Sequence, residues 1–371
     1  MALFTWPLMT AVQMMCARIG MVTGEGLAGT LRRRFPRWLL VIASLSLLAA
    51  NTINVAADLA GMADAAAMLS GIPARYFVVF FGFGIASVTI LVPYARFAGI
   101  LKWLTLSLFA YVVTAFAVGV EWKTVVHDAV IPSMPRTRGE WAMLLAILGT
   151  TISPYLFFWQ ASEEVEEEKR IGRTMLASRL GATNIELVDR KIDVGFGTFF
   201  SNLIMFFIIL TTALTLHRHG LVAIETSRQA AEALVPLAGR FAATVYTLGI
   251  VGVGLLAIPT LTGSAAYALA ETFDWEQGLG RTFRDAYYFY GVVIVSTLSG
   301  VGLDFAGVSP VRALFWAAVL NGLLAPPLLV AILMVASHRT LMQNQPASRL
   351  SRVLVAITVI AMVCTAVGMF S

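Results

Sequence analysis

Apolar runs long enough to cross a bilayer recur along this chain from end to end. A helix needs about 20 predominantly apolar residues to span the hydrocarbon core. About ten runs meet that length: residues 2–22, 38–60, 76–95, 100–120, 142–162, 194–215, 242–270, 286–303, 311–336 and 352–370. Hydrocarbon offers no water to unpaired backbone N–H and C=O groups, so each run must close its hydrogen bonds within itself, as a helix. The expected fold is therefore an all-α integral membrane protein, one polytopic domain over residues 1–371. Composition agrees, because 13% of the residues are charged, about half the fraction of soluble domains. The lipid bilayer is the first partner this implies.

The net charge of +5 matters less than where the basic residues fall. Lys and Arg concentrate in cytoplasmic loops. Placing residues 20–37 inside gathers Arg32, Arg33, Arg34, Arg37, Arg96, Lys102, the basic residues from Lys169 to Lys191, Arg281, Arg284, Arg339, Arg349 and Arg352 at cytoplasmic connections. Loops 20–37 and 163–193 are thus expected in the cytoplasm of a multi-pass cell-membrane protein, and nothing in the pattern points to nucleic acid. The first run lacks a basic start and leads into Arg18 rather than a small-residue cleavage site, so it is expected to stay in the mature chain. Residues 121–140 read as a short external connection, and 230–234 as a short helix on the external surface. Cys16 and Cys364 lie far apart inside apolar runs and form neither a disulfide framework nor a metal motif. His217 and His219 have no third ligand nearby, and His127 and His338 stand alone, so no histidine metal site is expected.

Run 142–162 is interrupted. It reads Gly149-Thr150-Thr151-Ile152-Ser153-Pro154-Tyr155 and leads into Glu163-Glu164-Val165-Glu166-Glu167-Glu168. Pro154 cannot donate to the helical ladder, and its ring crowds the carbonyl one turn earlier. Two readings fit: an ordinary proline kink, or an unwound stretch over 149–155 whose freed groups face a cavity or an ion. In the second, Gly149 and Pro154 form the hinge of a broken helix. Asn321-Gly322 with Pro326-Pro327 interrupts a later span in the same way, making Asn321 a candidate for the site or for packing. Asn51, Asn54 and Asp58 share one helical face and form a candidate polar pathway, Asp58 being placed near the end of its span. The alternative there is an exposed Asp at the external surface. Glu163 and Glu164 are candidates for a cytoplasmic vestibule that concentrates cations, or else a solvated helix end. Thr89 and Thr114 are expected to bond back to their own helices.

Several motifs together resemble the Nramp family of divalent-metal transporters. Pro7-Leu8-Met9, Gln13, Ala17-Arg18-Ile19-Gly20, Thr23-Gly24 and Gly26-Leu27-Ala28 are similar to its second helix. Ala57-Asp58-Leu59-Ala60-Gly61 with Ser70-Gly71-Ile72-Pro73 is similar to the third, and residues 248–259 with Gly263-Ser264-Ala265 to the eighth. The resemblance implies a LeuT-like inverted-repeat bundle. Its parts here would be 1–120 as the remainder of the first repeat, 142–336 as the second and 352–370 as an extra helix. It also implies a family helix with an Asp-Pro-Gly break upstream of Met1, which this sequence lacks. Where the family has Met-Pro-His at its sixth helix, this chain has Ser153-Pro154-Tyr155, and Gly61 stands where an acidic residue usually follows Asp58. Oxygen donors in place of a thioether suit hard ions, and losing the His removes a group that titrates near neutrality. This pattern is similar to the Nramp-related magnesium transporters.

The function implied is alternating-access transport of Mg²⁺ or Mn²⁺ without proton coupling. Thr150, Ser153, Tyr155 and Asn321 would bind the ion, and no cofactor is expected. Oligomeric state stays open. The rivals are an organic-solute symporter of the same fold, a non-transporting fragment, and an intramembrane enzyme using Asp58. The last has no second catalytic carboxylate, HExxH or GxSxG to support it, and no enzyme is expected.

Overall fold

The computed structural model describes residues 2–371 except 93–98, 100–102, 104–105, 118–119, 132–133, 217–226 and 308. The expected contributions of Arg96, Lys102, His217 and His219 lie outside the described residues. The chain opens with α1 (Ala2–Thr23), the short α2 (Leu27–Arg32), α3 (Arg37–Ser70) and α4 (Ala74–Leu91). Then come α5 (Phe109–Ala117), α6 (Trp122–Val130), α7 (Arg138–Thr151), α8 (Pro154–Arg170), α9 (Asn184–Thr215) and α10 (Ser227–Glu232). Long helices close it: α11 (Ala242–Phe273), α12 (Tyr287–Phe305), α13 (Pro310–Ala336) and α14 (Arg349–Phe370).

Each expected span coincides with a helix, the fourth being described over Phe109–Ala117. Among the described residues eight helices are long and apolar enough to cross a membrane, α7 and α8 counting as one, or nine with the bent α5–α6 pair. The 22-residue α1 is not one of the eight. Its polar groups lower its mean hydropathy, and several of them are turned onto α9. Thr5 donates to Asn202 Oδ1 at 2.8 Å, Asn202 Nδ2 contacts Met9 Sδ at 3.2 Å, and the Thr10 and Thr198 hydroxyls pair at 2.7 Å. Such a seam joins helices in lipid, where apolar faces gain little by pairing.

Helix ends follow local chemistry. α3 runs for 34 residues, well past the boundary expected at residue 60, because Met62 to Leu69 is rich in helix formers. It stops at Gly71, whose φ of 73° is the left-handed cap, just before Pro73. α9 starts ten residues earlier than expected because Thr183 and Glu186 form a capping box. α10 forms where a surface helix was expected, but its exit is not superficial: Ala233 and Leu234 are buried against Tyr111, Leu216 and Ala242. Small apolar side chains there seal the gap between α5 and α11.

Two cores organise the bundle. One joins α1, α2, α8, α13 and α14 around Met15, Ile19, Leu27, Phe157, Phe158 and Leu329. The other joins α3, α4 and α11 around Val55, Leu59, Met62, Val78 and Ile258. Tyr155, at the start of α8, packs against both. The interrupted helix therefore stands at the junction of the two cores.

Candidate functional site

α7 ends with the Ile152 N–H bonding the Leu148 carbonyl at 2.8 Å. Ile152 (φ −115°, ψ 61°) and Ser153 (φ −87°, ψ 137°) are non-helical, and Pro154 is the first residue of α8. The unwound stretch is thus two residues, narrower than the 149–155 read from sequence. Thr151 lies in the last turn of α7, its hydroxyl donating to the Ile147 carbonyl at 2.8 Å, and proline at the first helical position needs no N–H. The Thr150 carbonyl would have bonded the N–H of residue 154, which proline lacks. The Thr150 side chain itself is exposed.

Ser153 is buried, and its Oγ has no hydrogen-bond partner. Asn321 on α13 is buried with an unpartnered Oδ1, and Asn51 on α3 is in the same condition. The assignment of the Asn51 amide is fixed by its surroundings. Its Nδ2 donates to the Leu261 carbonyl at 2.8 Å and lies 2.9 Å from Ser264 Oγ, both on α11, and only the nitrogen can serve a carbonyl. Three buried oxygens without partners thus lie on α3, α13 and the break, elements that pack on one another. Buried polar groups in native proteins are normally satisfied, so these three oxygens are open to a polar partner.

Close packing positions it. A Cβ on Gly149 would lie 2.1 Å from the Ala318 carbonyl oxygen and 2.5 Å from the Gly322 nitrogen. α7 and α13 therefore meet backbone to backbone, with Asn321 beside the contact. Glycine at 149 serves this approach. On the other side, Pro154 lines an apolar cavity of about 170 Å³ with Leu40, Leu47 and Leu328.

Asp58 lies well inside α3, not near its end, because α3 continues to Ser70. It is half-buried and within electrostatic reach of Tyr155 across the α3–α8 contact. Asn54 is also half-buried. Among the described residues no three His, Cys, Asp or Glu side chains stand together as a metal-holding group. What the break presents is neutral oxygen, which suits hard cations.

The acidic run after the break is paired. Glu163 meets Arg170 at 3.2 Å, and Glu164 meets Arg190 at 2.8 Å and accepts from Gln160 at 2.7 Å. Glu166 pairs with Lys169 at 2.8 Å, and Glu167 with Arg190. The two vestibule candidates therefore sit in local ion pairs. Thr89 and Thr114 bond back to the carbonyls of Ile85 and Ala110, as expected.

A buried carboxyl that sequence reading passed over closes the other end of α8. Glu271 in α11 accepts from the Gly29 N–H at 3.0 Å, from Gln277 at 3.2 Å and from Ser162 at 3.3 Å. The residue stands one position beyond the apolar run 242–270 read from sequence, and it is the continuation of α11 to Phe273 that brings it into the helix.

The sequence pattern of the family described as Natural resistance-associated macrophage protein-like, Nramp, matches residues 1–371. The chain belongs to the Nramp family. Among curated relatives, the divalent metal cation transporter MntH of Yersinia enterocolitica is 26% identical over 354 residues, covering 92% of this chain and 79% of its own length. The MntH of Pectobacterium carotovorum is 27% identical over 344 residues, covering 89% of this chain and 76% of its own. A crystal structure of a mutant manganese transporter from Eremococcus coleocola superposes with a TM-score of 0.75 at 17% identity, covering 98% of this chain and 78% of that one. This Nramp chain thus has the LeuT-like fold expected from its sequence.

Proposed function

We propose that this chain carries divalent metal cations, Mn²⁺ and Mg²⁺, across the cell membrane by alternating access around the α7–α8 break. The observation that carries the reading is the set of unpartnered buried oxygens on Ser153, Asn51 and Asn321, on elements that pack on one another. The donors are hard and neutral. Mg²⁺ dehydrates reluctantly, so an ion that keeps part of its water needs few direct ligands. The named relatives transport divalent metals, which favours this reading over the organic-solute symporter and the intramembrane enzyme. Tyrosine stands at 155 in place of a histidine, the side chain whose ordinary pKa lies nearest neutrality, and transport is proposed to run without proton coupling.

Residues 1–120 and 142–336 are proposed as inverted repeats, with α14 appended. Tyr155 would move with α8 as the two cores it touches shift. The distribution of basic residues favours a cytoplasmic position for loops 20–37 and 163–193.

The test is flux in proteoliposomes carrying the full-length protein, with a divalent-sensitive dye and a pH dye inside. Mn²⁺ entry that Mg²⁺ inhibits, without lumen acidification, is the expected result. Absence of flux for both ions, or uptake of amino acids instead, would overturn the proposal.

A further inference from the structure

On the outside of the bundle, α1, α9 and the start of α14 enclose a groove of about 520 Å³. Its body is lined by Trp6, Met14, Leu187 and Leu354, and its rim by Arg18 and Lys191. From Trp6 to Arg18 is twelve residues of α1, about 18 Å, or slightly more than one leaflet of a ~30 Å hydrocarbon core. The groove therefore has the length and polarity of one leaflet: apolar toward the membrane centre, cationic where headgroups lie.

Among the described residues the charges at the rim, like those of Arg34, Arg284, Arg339, Arg349 and Arg352, are not taken up by ion pairs, whereas other cations of that membrane face are. Arg32, Arg33, Arg170, Arg173, Arg190 and Arg281 each sit in an ion pair. Among the described residues Arg18 and Lys191 sit in none. The rim is also built. Gln345 bonds the Ala182 main chain in both directions, at 2.8 and 3.0 Å, and Arg18 donates to the Gln345 carbonyl at 3.2 Å. Arg18 is thereby held at the mouth with guanidinium N–H groups to spare.

We infer that this groove is a binding site for an anionic phospholipid, whose acyl chain fills the apolar body and whose phosphate meets Arg18 and Lys191. Arginine and lysine at a membrane surface attract anionic headgroups, and the bilayer supplies the occupant at high local concentration. The site lies apart from the α7–α8 break, so it stands or falls independently of the transported ion.

The test is native mass spectrometry of the full-length protein titrated with phosphatidylglycerol or phosphatidylcholine in micelles. One phosphatidylglycerol should be retained in preference to phosphatidylcholine. The R18Q/K191Q double variant should weaken that retention roughly 30-fold, from the contribution of two surface cations, with unfolding temperature in phosphatidylcholine unchanged. A second variant, M14W, fills the groove without altering charge and should weaken retention too. Equal retention of the two lipids would overturn the inference. So would displacement of the lipid by inorganic phosphate at equal concentration, or insensitivity to both variants.

Discussion

Replacing Glu271 by alanine is expected to loosen the contact among α2, α8 and α11. The carboxyl faces three donors, the Gly29 N–H, the Ser162 hydroxyl and the Gln277 amide. Glu271 is 7% exposed, so water cannot replace it at all three. A buried donor left without an acceptor costs about 1–3 kcal/mol, and three such losses, partly relieved by rearrangement, come to about 3 kcal/mol. Gly26 supplies an independent handle on the same contact. Its φ of −67° and ψ of 179° are open to any residue, but a Cβ there would lie 1.8 Å from Glu271 Oε1. What requires glycine at 26 is the carboxyl. Gly26→Ala should therefore displace it and cost about 2 kcal/mol.

The decisive measurement is the double-mutant cycle. In the Glu271→Ala background the Gly26 methyl has space, so the second substitution should add less than about 0.5 kcal/mol. Thermal unfolding in detergent gives the stabilities, and hydrogen exchange at residues 27–32 shows whether α2 opens locally. Equal cost of Gly26→Ala in both backgrounds would refute the reasoning, because the methyl would then be clashing with something other than Glu271.

Three further outcomes follow from other parts of the chain. Gly149→Val places side-chain carbon on the Ala318 carbonyl and the Gly322 nitrogen, so α7 and α13 must separate; a loss of about 3 kcal/mol or more should appear as a lower unfolding temperature and poor yield of folded protein. Ser153→Met puts a thioether at the break and should shift inhibition of Mn²⁺ flux toward Cd²⁺ and away from Mg²⁺, read from competition in proteoliposomes. The Arg32 hydrogen bond holds the Asp274 carboxyl below its ordinary range. Its stabilisation is therefore present above the unfolded value of about 3.9 and lost as pH falls through the lower folded value. With Asp274 63% exposed, the effect stays below about 1 kcal/mol, so the difference in unfolding temperature between wild type and Asp274→Asn should be small at pH 7 and vanish in acid.

The spans were legible because hydrocarbon imposes one rule on every residue of a crossing segment, and that rule is written in composition. Helix ends were less legible. α3 outran its expected limit because Met62 to Leu69 extends the helix through helix propensity, which hydropathy does not register. The break was legible from Pro154, yet its width was not. The Ile152 N–H bond to the Leu148 carbonyl and the tolerance of a first-turn proline confine it to two residues, and both depend on which helix turn the residue occupies.

The site divides along the same line. Ser153, Asn51 and Asn321 could be proposed singly, since each is polar in an apolar segment, but that their oxygens lack partners is a property of packing among α3, α13 and the break. Glu271 lies just past the apolar run 242–270, where a carboxyl reads as a solvated helix end, and its meaning lies in the Gly29 N–H of α2, more than 240 residues earlier. The acidic run looks like free charge in sequence because Arg190, the cation that pairs two of its members, belongs to the next helix. A charge in sequence is a potential partner; only the fold decides whether it is spent. By that criterion the glutamate cluster is largely spent in ion pairs, whereas Arg18 and Lys191, beside an apolar groove, keep their charge for a partner outside the chain, as the lipid proposal requires.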